Sequence, residues 1–142
     1  MIAYIDSSVL LRITFAQAHP LASWKRIQRA ITSDLTRVEC LRTIDRARHR
    51  SDVTPSEVAR RRASLIETLE GFDLVPIDGA VLARAADPFP TPLGTLDAVH
   101  LASAVLARDV IGELLLATHD RELGTAALSL GFKVEGVTTG GE

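Results

Sequence analysis

Short strand-like segments, apolar throughout in the first of them, alternate along this chain with longer segments of helical period. "IAYI", "AITS", "FDLVPID", "ELLLAT" and "FKVEG" read as strands, with helical patterns between them. A strand with no polar face has to be covered on both sides. Strands that alternate with helices form a parallel sheet with helices above and below it. The expected fold is therefore α/β: a three-layer sandwich with a short, mainly parallel central sheet flanked by helices. A chain of 142 residues fits one domain spanning 1–142.

The helices carry their own signals. One begins near Ser7, and a second is expected from about Pro20, carrying Trp24. Leu35, Val38, Leu41 and Ile44 recur at helical spacing and predict a long helix over about Leu35 to Arg48. In "TPSE", Thr54 can cap, Pro55 suits the first helical position and Glu57 completes a capping box. That helix runs to about Glu70 and Gly71 stops it. A short helix follows over Ala80 to Ala85. "DPFPTPLGT" is a loop, "LDAVHLASAVLA" is apolar on nearly every side and reads as a buried helix, and a last helix covers Arg121 to Leu130.

Composition sets limits. The single cysteine, Cys40, has no partner for an internal disulfide, which fits a reducing, cytoplasmic location. No basic-then-apolar leader precedes the first strand, so a secretory signal is not expected. The longest apolar stretch is broken by Arg108, Asp109 and Glu113, which argues against a membrane span. The net charge of −2 does not advertise a nucleic-acid binder, yet its distribution is uneven. Between Arg37 and Arg62, eight arginines face four acids, a local balance of +4, and the remainder of the chain is acidic by six.

Four carboxylates stand out. Asp6 ends the first strand, and Asp120 lies just past "LLLAT". In a parallel sheet both occupy the carboxyl edge, where α/β folds place their ligands. Glu39 sits inside the long helix, and Asp97 begins the buried one. Taken singly, Asp97 and Asp120 could be helix N-caps, and Glu39 could pair with Arg42 one turn on. Taken together, all four can be drawn to one edge of one sheet. Two carboxylates about 6 Å apart repel by roughly 3 kcal/mol at an effective dielectric of 20. Hard divalent cations offset such repulsion, and Mg²⁺ takes one or two carboxylates plus waters and substrate phosphate. Phosphodiester hydrolysis is the chemistry this arrangement suits.

"YIDSSVLL", "RVECLRT", "TLDAVHLASA" and "LLLATHDREL", in this order and at these intervals, resemble PIN-domain ribonucleases, and more narrowly the VapC toxins of bacterial toxin–antitoxin operons. The resemblance covers nearly the whole chain and implies a PIN-like sandwich. It implies that Asp6, Glu39, Asp97 and Asp120 bind Mg²⁺ or Mn²⁺ and carry catalysis, with Ser7 and Thr118 supplying supporting hydroxyls. It also implies an RNA substrate (tRNA or rRNA), a VapB-type antitoxin as inhibitory partner, and a homodimer.

Other residues admit more than one role. His100, one helical turn after Asp97, reads as a packed histidine rather than a base. His19, His49 and His119 lack zinc-ligand spacing. Cys40 reads as a buried structural thiol, and Trp24 as a packing residue rather than a base-stacking one. Arg42, Arg46 and Arg50 follow Glu39 at about i+3, i+7 and i+11, either as an RNA track or as a solvated basic face. Three other functions compete. A receiver-like phosphoacceptor would want adjacent acids after the first strand and a lysine ending the last. A non-catalytic binding module would use the acids only as caps. A DNA-cleaving relative would share the chemistry.

Overall fold

The computed structural model describes residues 1–50 and 52–137. In chain order its elements are β1 (Ile2–Ile5), α1 (Ser7–Thr14), a 3₁₀ turn (Trp24–Arg26), β2 (Arg29–Ser33), α2 (Asp34–Ala47), α3 (Pro55–Glu70), β3 (Asp73–Val75), α4 (Gly79–Ala86), α5 (Thr95–Ile111), β4 (Leu115–Ala117), α6 (Arg121–Ser129) and β5 (Lys133–Glu135). The strands form one sheet in the order β3-β2-β1-β4-β5, and every pairing is parallel. This is the expected α/β sandwich.

The alternation of β1 shows why both faces had to be apolar. Ala3 and Ile5 point to one side and pack with Val9, Leu10, Cys40, Ile44, Leu65 and Leu69 from α1, α2 and α3. Tyr4 points to the other and packs with Leu101, Ala104, Leu123 and Ala126 from α5 and α6. Each Val, Leu or Ile among these contributes roughly 1.5–3 kcal/mol on full burial. Val81 joins Val99 and Ala102, docking α4 on α5. Among the described residues no helix is long and apolar enough to cross a membrane.

In α3 Thr54 accepts from Glu57 N with Pro55 in the first turn, and Gly71 is the C-cap. Glu57 does not close the expected capping box, because its carboxylate pairs with Arg60 and Arg61 instead. Two further expectations are corrected. No helix starts at Pro20: only the 3₁₀ turn Trp24–Arg26 forms. Ala16 and His19 adopt positive φ (50° and 57°), Leu21 is drawn into the core, and the buried Ser23 hydroxyl donates to Glu135 on β5. These tertiary attachments fix a compact, non-helical course. Trp24 does pack, against Phe72, with ring centroids 6.2 Å apart. The buried stripe of α2 is also shifted. Thr36, Cys40, Ile44 and Ala47 face inward, whereas Val38 is 56% exposed.

The chain builds β1, β2 and β3 outward on one side, then returns to lay β4 and β5 on the other. The switch point lies between β1 and β4, whose carboxyl ends are tied by Asp6 N–H donating to Ala117 O at 3.0 Å. The loop after β5 closes on the same edge. Gly136 has φ +104°, and an added Cβ would lie 2.3 Å from the Thr118 carbonyl oxygen. Gly136→Ala is therefore expected to destabilise by more than the about 1–2 kcal/mol of left-handed strain alone, because Thr118 must also shift. Gly79→Ala, where a Cβ meets open space, is expected to be neutral or stabilising by about 0.4–1 kcal/mol. Chemical denaturation of both variants checks the contrast.

Candidate active site

Four acidic side chains reach the carboxyl edge at the switch point, each delivered by a different element. Asp6 follows β1 and is the N-cap of α1. Only 3% of its surface is exposed. Its Oδ2 accepts from Ser8 Oγ at 2.7 Å, Thr118 Oγ1 at 2.9 Å and, more weakly, Ser8 N at 3.4 Å. Ser7 Oγ lies 3.4 Å from Oδ1. Ser8 thus takes the tighter contact of the two serines, and its oxygen also accepts from His119 N at 2.9 Å. Thr118 Oγ1 accepts in turn from Asp120 N at 3.0 Å, linking the loops after β1 and β4.

Asp120 is the N-cap of α6, with Oδ1 accepting from Leu123 N at 3.0 Å. Capping occupies one oxygen, so the two roles weighed for it are compatible. Asp97 is not a cap. Gly94 holds that position in α5, and Asp97 lies in the first helical turn, half-buried. Its carboxyl is pushed up to about 6, first by burial and then by the charges of Asp120 and Asp6, with His100 opposing. That response places Asp97 within electrostatic reach of the other acids.

Glu39 does not pair with Arg42, which instead meets Asp45 at 3.5 Å. Its Oε1 faces His100 Nε2 at 2.5 Å, and that same nitrogen lies 3.5 Å from Asp6 Oδ1. His100 is a packed histidine, as expected, but the place it fills is among the acids. Burial alone would lower its pKa. The Glu39 hydrogen bond and the charges of Asp6, Glu39 and Asp97 outweigh burial, and the net direction is up. Cys40 is raised to about 12 by burial and by Glu39 and Asp6, so it stays an inert thiol.

Among the described residues no group of three or more His, Cys, Asp and Glu side chains is placed to hold a metal ion as the side chains stand. The four acids nonetheless offer only hard carboxylate oxygens. That fits Mg²⁺ or Mn²⁺, which keep several waters, and does not fit a zinc site built of His and Cys.

A groove of about 550 Å³ opens beside Ser8 between α1 and the end of α2. Arg12, Arg46 and Arg50 line it, with Leu11, Phe15 and Thr43. Of the three arginines that follow Glu39, Arg46 and Arg50 reach this groove. Arg42 does not line it, and α2 ends at Ala47, before Arg50. Arg12 and Ser8 were not singled out in the sequence. Their i, i+4 spacing on α1 is the signal that joins them. Lys133 stands at the amino end of β5, paired with Glu113 at 2.9 Å, on the edge opposite Asp6. The lysine a receiver domain needs is therefore not at the site.

The family model for the PIN domain matches residues 3–127. The chain belongs to the PIN-domain family. It is similar to Ribonuclease VapC35 of Mycobacterium tuberculosis, with 34% identity over 92% of this chain and 93% of that protein. Its PIN fold is also that of solved structures of low identity. One is FitAB bound to an IR36 DNA fragment (TM-score 0.69, 15% identity, 94% of this chain and 93% of that one). Another is a toxin–antitoxin complex from Klebsiella pneumoniae (TM-score 0.59, 18% identity, 96% of each chain).

The raised Asp97 pKa sets a pH dependence. The fold favours its neutral form, so its contribution to stability is full below the unfolded pKa near 3.9 and is lost as pH rises through about 6. In chelator, wild type and Asp97→Asn are expected to melt alike near pH 4. By about pH 7.5 the variant is expected to be the more stable, by on the order of 1 kcal/mol after solvent screening. Thermal melts across that range test the sign, and a wild type that gains on the variant as pH rises contradicts it.

Proposed function

We propose that this PIN domain, spanning 1–142, is a divalent-metal-dependent endoribonuclease of the VapC type, the toxin of a VapBC-type pair. The observation that carries the reading is the convergence of Asp6, Glu39, Asp97 and Asp120 on the switch-point edge, beside a groove lined by Arg12, Arg46 and Arg50. The ribonuclease name of the VapC35 relative supports it. The Klebsiella complex supports an antitoxin partner, here a VapB-type protein, and a homodimer is the expected assembly of the toxin itself.

Asp6, Glu39, Asp97 and Asp120 would hold Mg²⁺ or Mn²⁺. The chemistry a divalent cation supplies at such a site is activation of water and neutralisation of charge on the departing oxygen. Ser8 and Thr118 hold the Asp6 carboxylate in one orientation, and Asp120 uses only part of its carboxylate as a cap. The groove arginines hold phosphates of the incoming strand by charge-assisted hydrogen bonds, which arginine's planar fork suits. The RNA is a structured one of the tRNA or rRNA class.

Purified protein is expected to cleave such RNA with Mg²⁺ or Mn²⁺, and to stop in excess chelator. Asp6→Asn and Asp97→Asn are expected to lose cleavage by about 100-fold or more while remaining folded. Full-rate cleavage in chelator, or cleavage confined to DNA, overturns the reading.

The groove makes a separate prediction. RNA affinity falls with salt in proportion to the phosphates contacted. Arg12→Ala and Arg46→Ala are each expected to reduce the salt slope by about 1, whereas Arg42→Ala leaves it unchanged. Binding by an inactive Asp97→Asn background across a salt series reads this out.

A further inference from the structure

We propose that His100 is a positioning residue: held by Tyr4 from β1, its Nε2–H draws Glu39 across from α2 to the Asp6 carboxylate. The proposal rests on the nuclease reading only for what Glu39 is positioned to do, since the hydrogen bonds themselves stand apart from it.

Three elements meet at this ring. His100 lies on α5 with 1% of its surface exposed. Both of its nitrogens are occupied: Nδ1 lies 2.8 Å from Tyr4 Oη, and Nε2 lies 2.5 Å from Glu39 Oε1 and 3.5 Å from Asp6 Oδ1. Tyr4 is fully buried and its ring meets the imidazole edge-on, at 75°. The hydroxyl and the edge contact together fix the ring plane. An ionised carboxylate can only accept, so the proton between His100 and Glu39 resides on Nε2. This holds for a neutral ring, whose Nδ1 then accepts from Tyr4, and equally for a charged one.

Glu39 needs such a partner. It is only partly buried in the middle of α2, on a long side chain whose unrestrained course is into solvent. Asp6 and Glu39 repel each other, and a single N–H facing both offsets that repulsion. Carboxylates that hold metals are typically themselves hydrogen-bonded, and removing such partners typically costs about 10–100-fold in metal affinity.

The first test is on the wild-type protein without metal. Nitrogen-15 shifts and couplings of the His100 ring are expected to show a proton on Nε2, and Glu39→Gln is expected to move that resonance. An unprotonated Nε2 overturns the proposal. The second test is titration with MnCl₂. His100→Leu is expected to weaken Mn²⁺ binding by about 10–100-fold, with His100→Gln, which keeps an N–H, recovering part of the loss. Tyr4→Phe is expected to lie between His100→Leu and wild type. Because His100 acts through Glu39, His100→Leu is expected to add little to the loss in Glu39→Gln, and additive losses overturn the assignment. If wild type takes up no Mn²⁺, the nuclease reading fails, while the ring resonances still decide the contact between His100 and Glu39.

Discussion

Asp6 is a buried carboxylate at the point where the sheet reverses its order, and the rest of the site is arranged around it. Taking an ion out of water costs several kcal/mol unless hydrogen bonds replace its hydration. Ser8 and Thr118 supply those hydrogen bonds, and His100 approaches from the opposite side. Thr118 also receives Asp120 N–H, so satisfying Asp6 simultaneously sets the loop that carries Asp120. The Thr118 carbonyl in turn leaves room only for a glycine at position 136.

Gathering acids at one edge works against stability. Asp97 responds most visibly, since its carboxyl is held near 6 by burial and by neighbouring negative charge. Asp120 avoids part of that penalty by giving one oxygen to a helix N-terminus, where a negative charge is favoured. A cation that offset the charge around Asp97 would favour its ionised form, so cation binding there would release a proton. The arrangement concentrates repulsion where a ligand of opposite charge offsets it.

Charge is segregated over short distances. The acids lie on the sheet edge, and Arg12, Arg46 and Arg50 line a groove that begins at Ser8, the residue that fixes Asp6. A net charge of −2 conceals this. Proteins that attract polyanions respond to the local field within about one Debye length, roughly 8–10 Å at moderate salt. A groove of one sign beside acids of the other sets neighbouring surfaces that attract opposite charges.

By itself, the sequence determined the elements and the edge. Apolar strands such as "IAYI" and "LLLAT" are legible because a strand covered on both faces has no polar positions, and Thr54, Pro55 and Gly71 mark their helix through backbone chemistry confined to a few residues. Parallel pairing then forces Asp6 and Asp120 to one edge, whatever the details. Only the tertiary structure decided the partners. Glu39 finds His100 61 positions away, Tyr4 finds the same ring 96 positions away, and Thr118 finds Asp6 across 112. No local pattern encodes those contacts. The same is true of the turns between α1 and β2, where Ser23 reaching Glu135 overrides a plausible helix. Local signals are set by hydrogen bonds within one turn or one strand. The orientation of a functional side chain is set by whichever distant group satisfies it once the layers close.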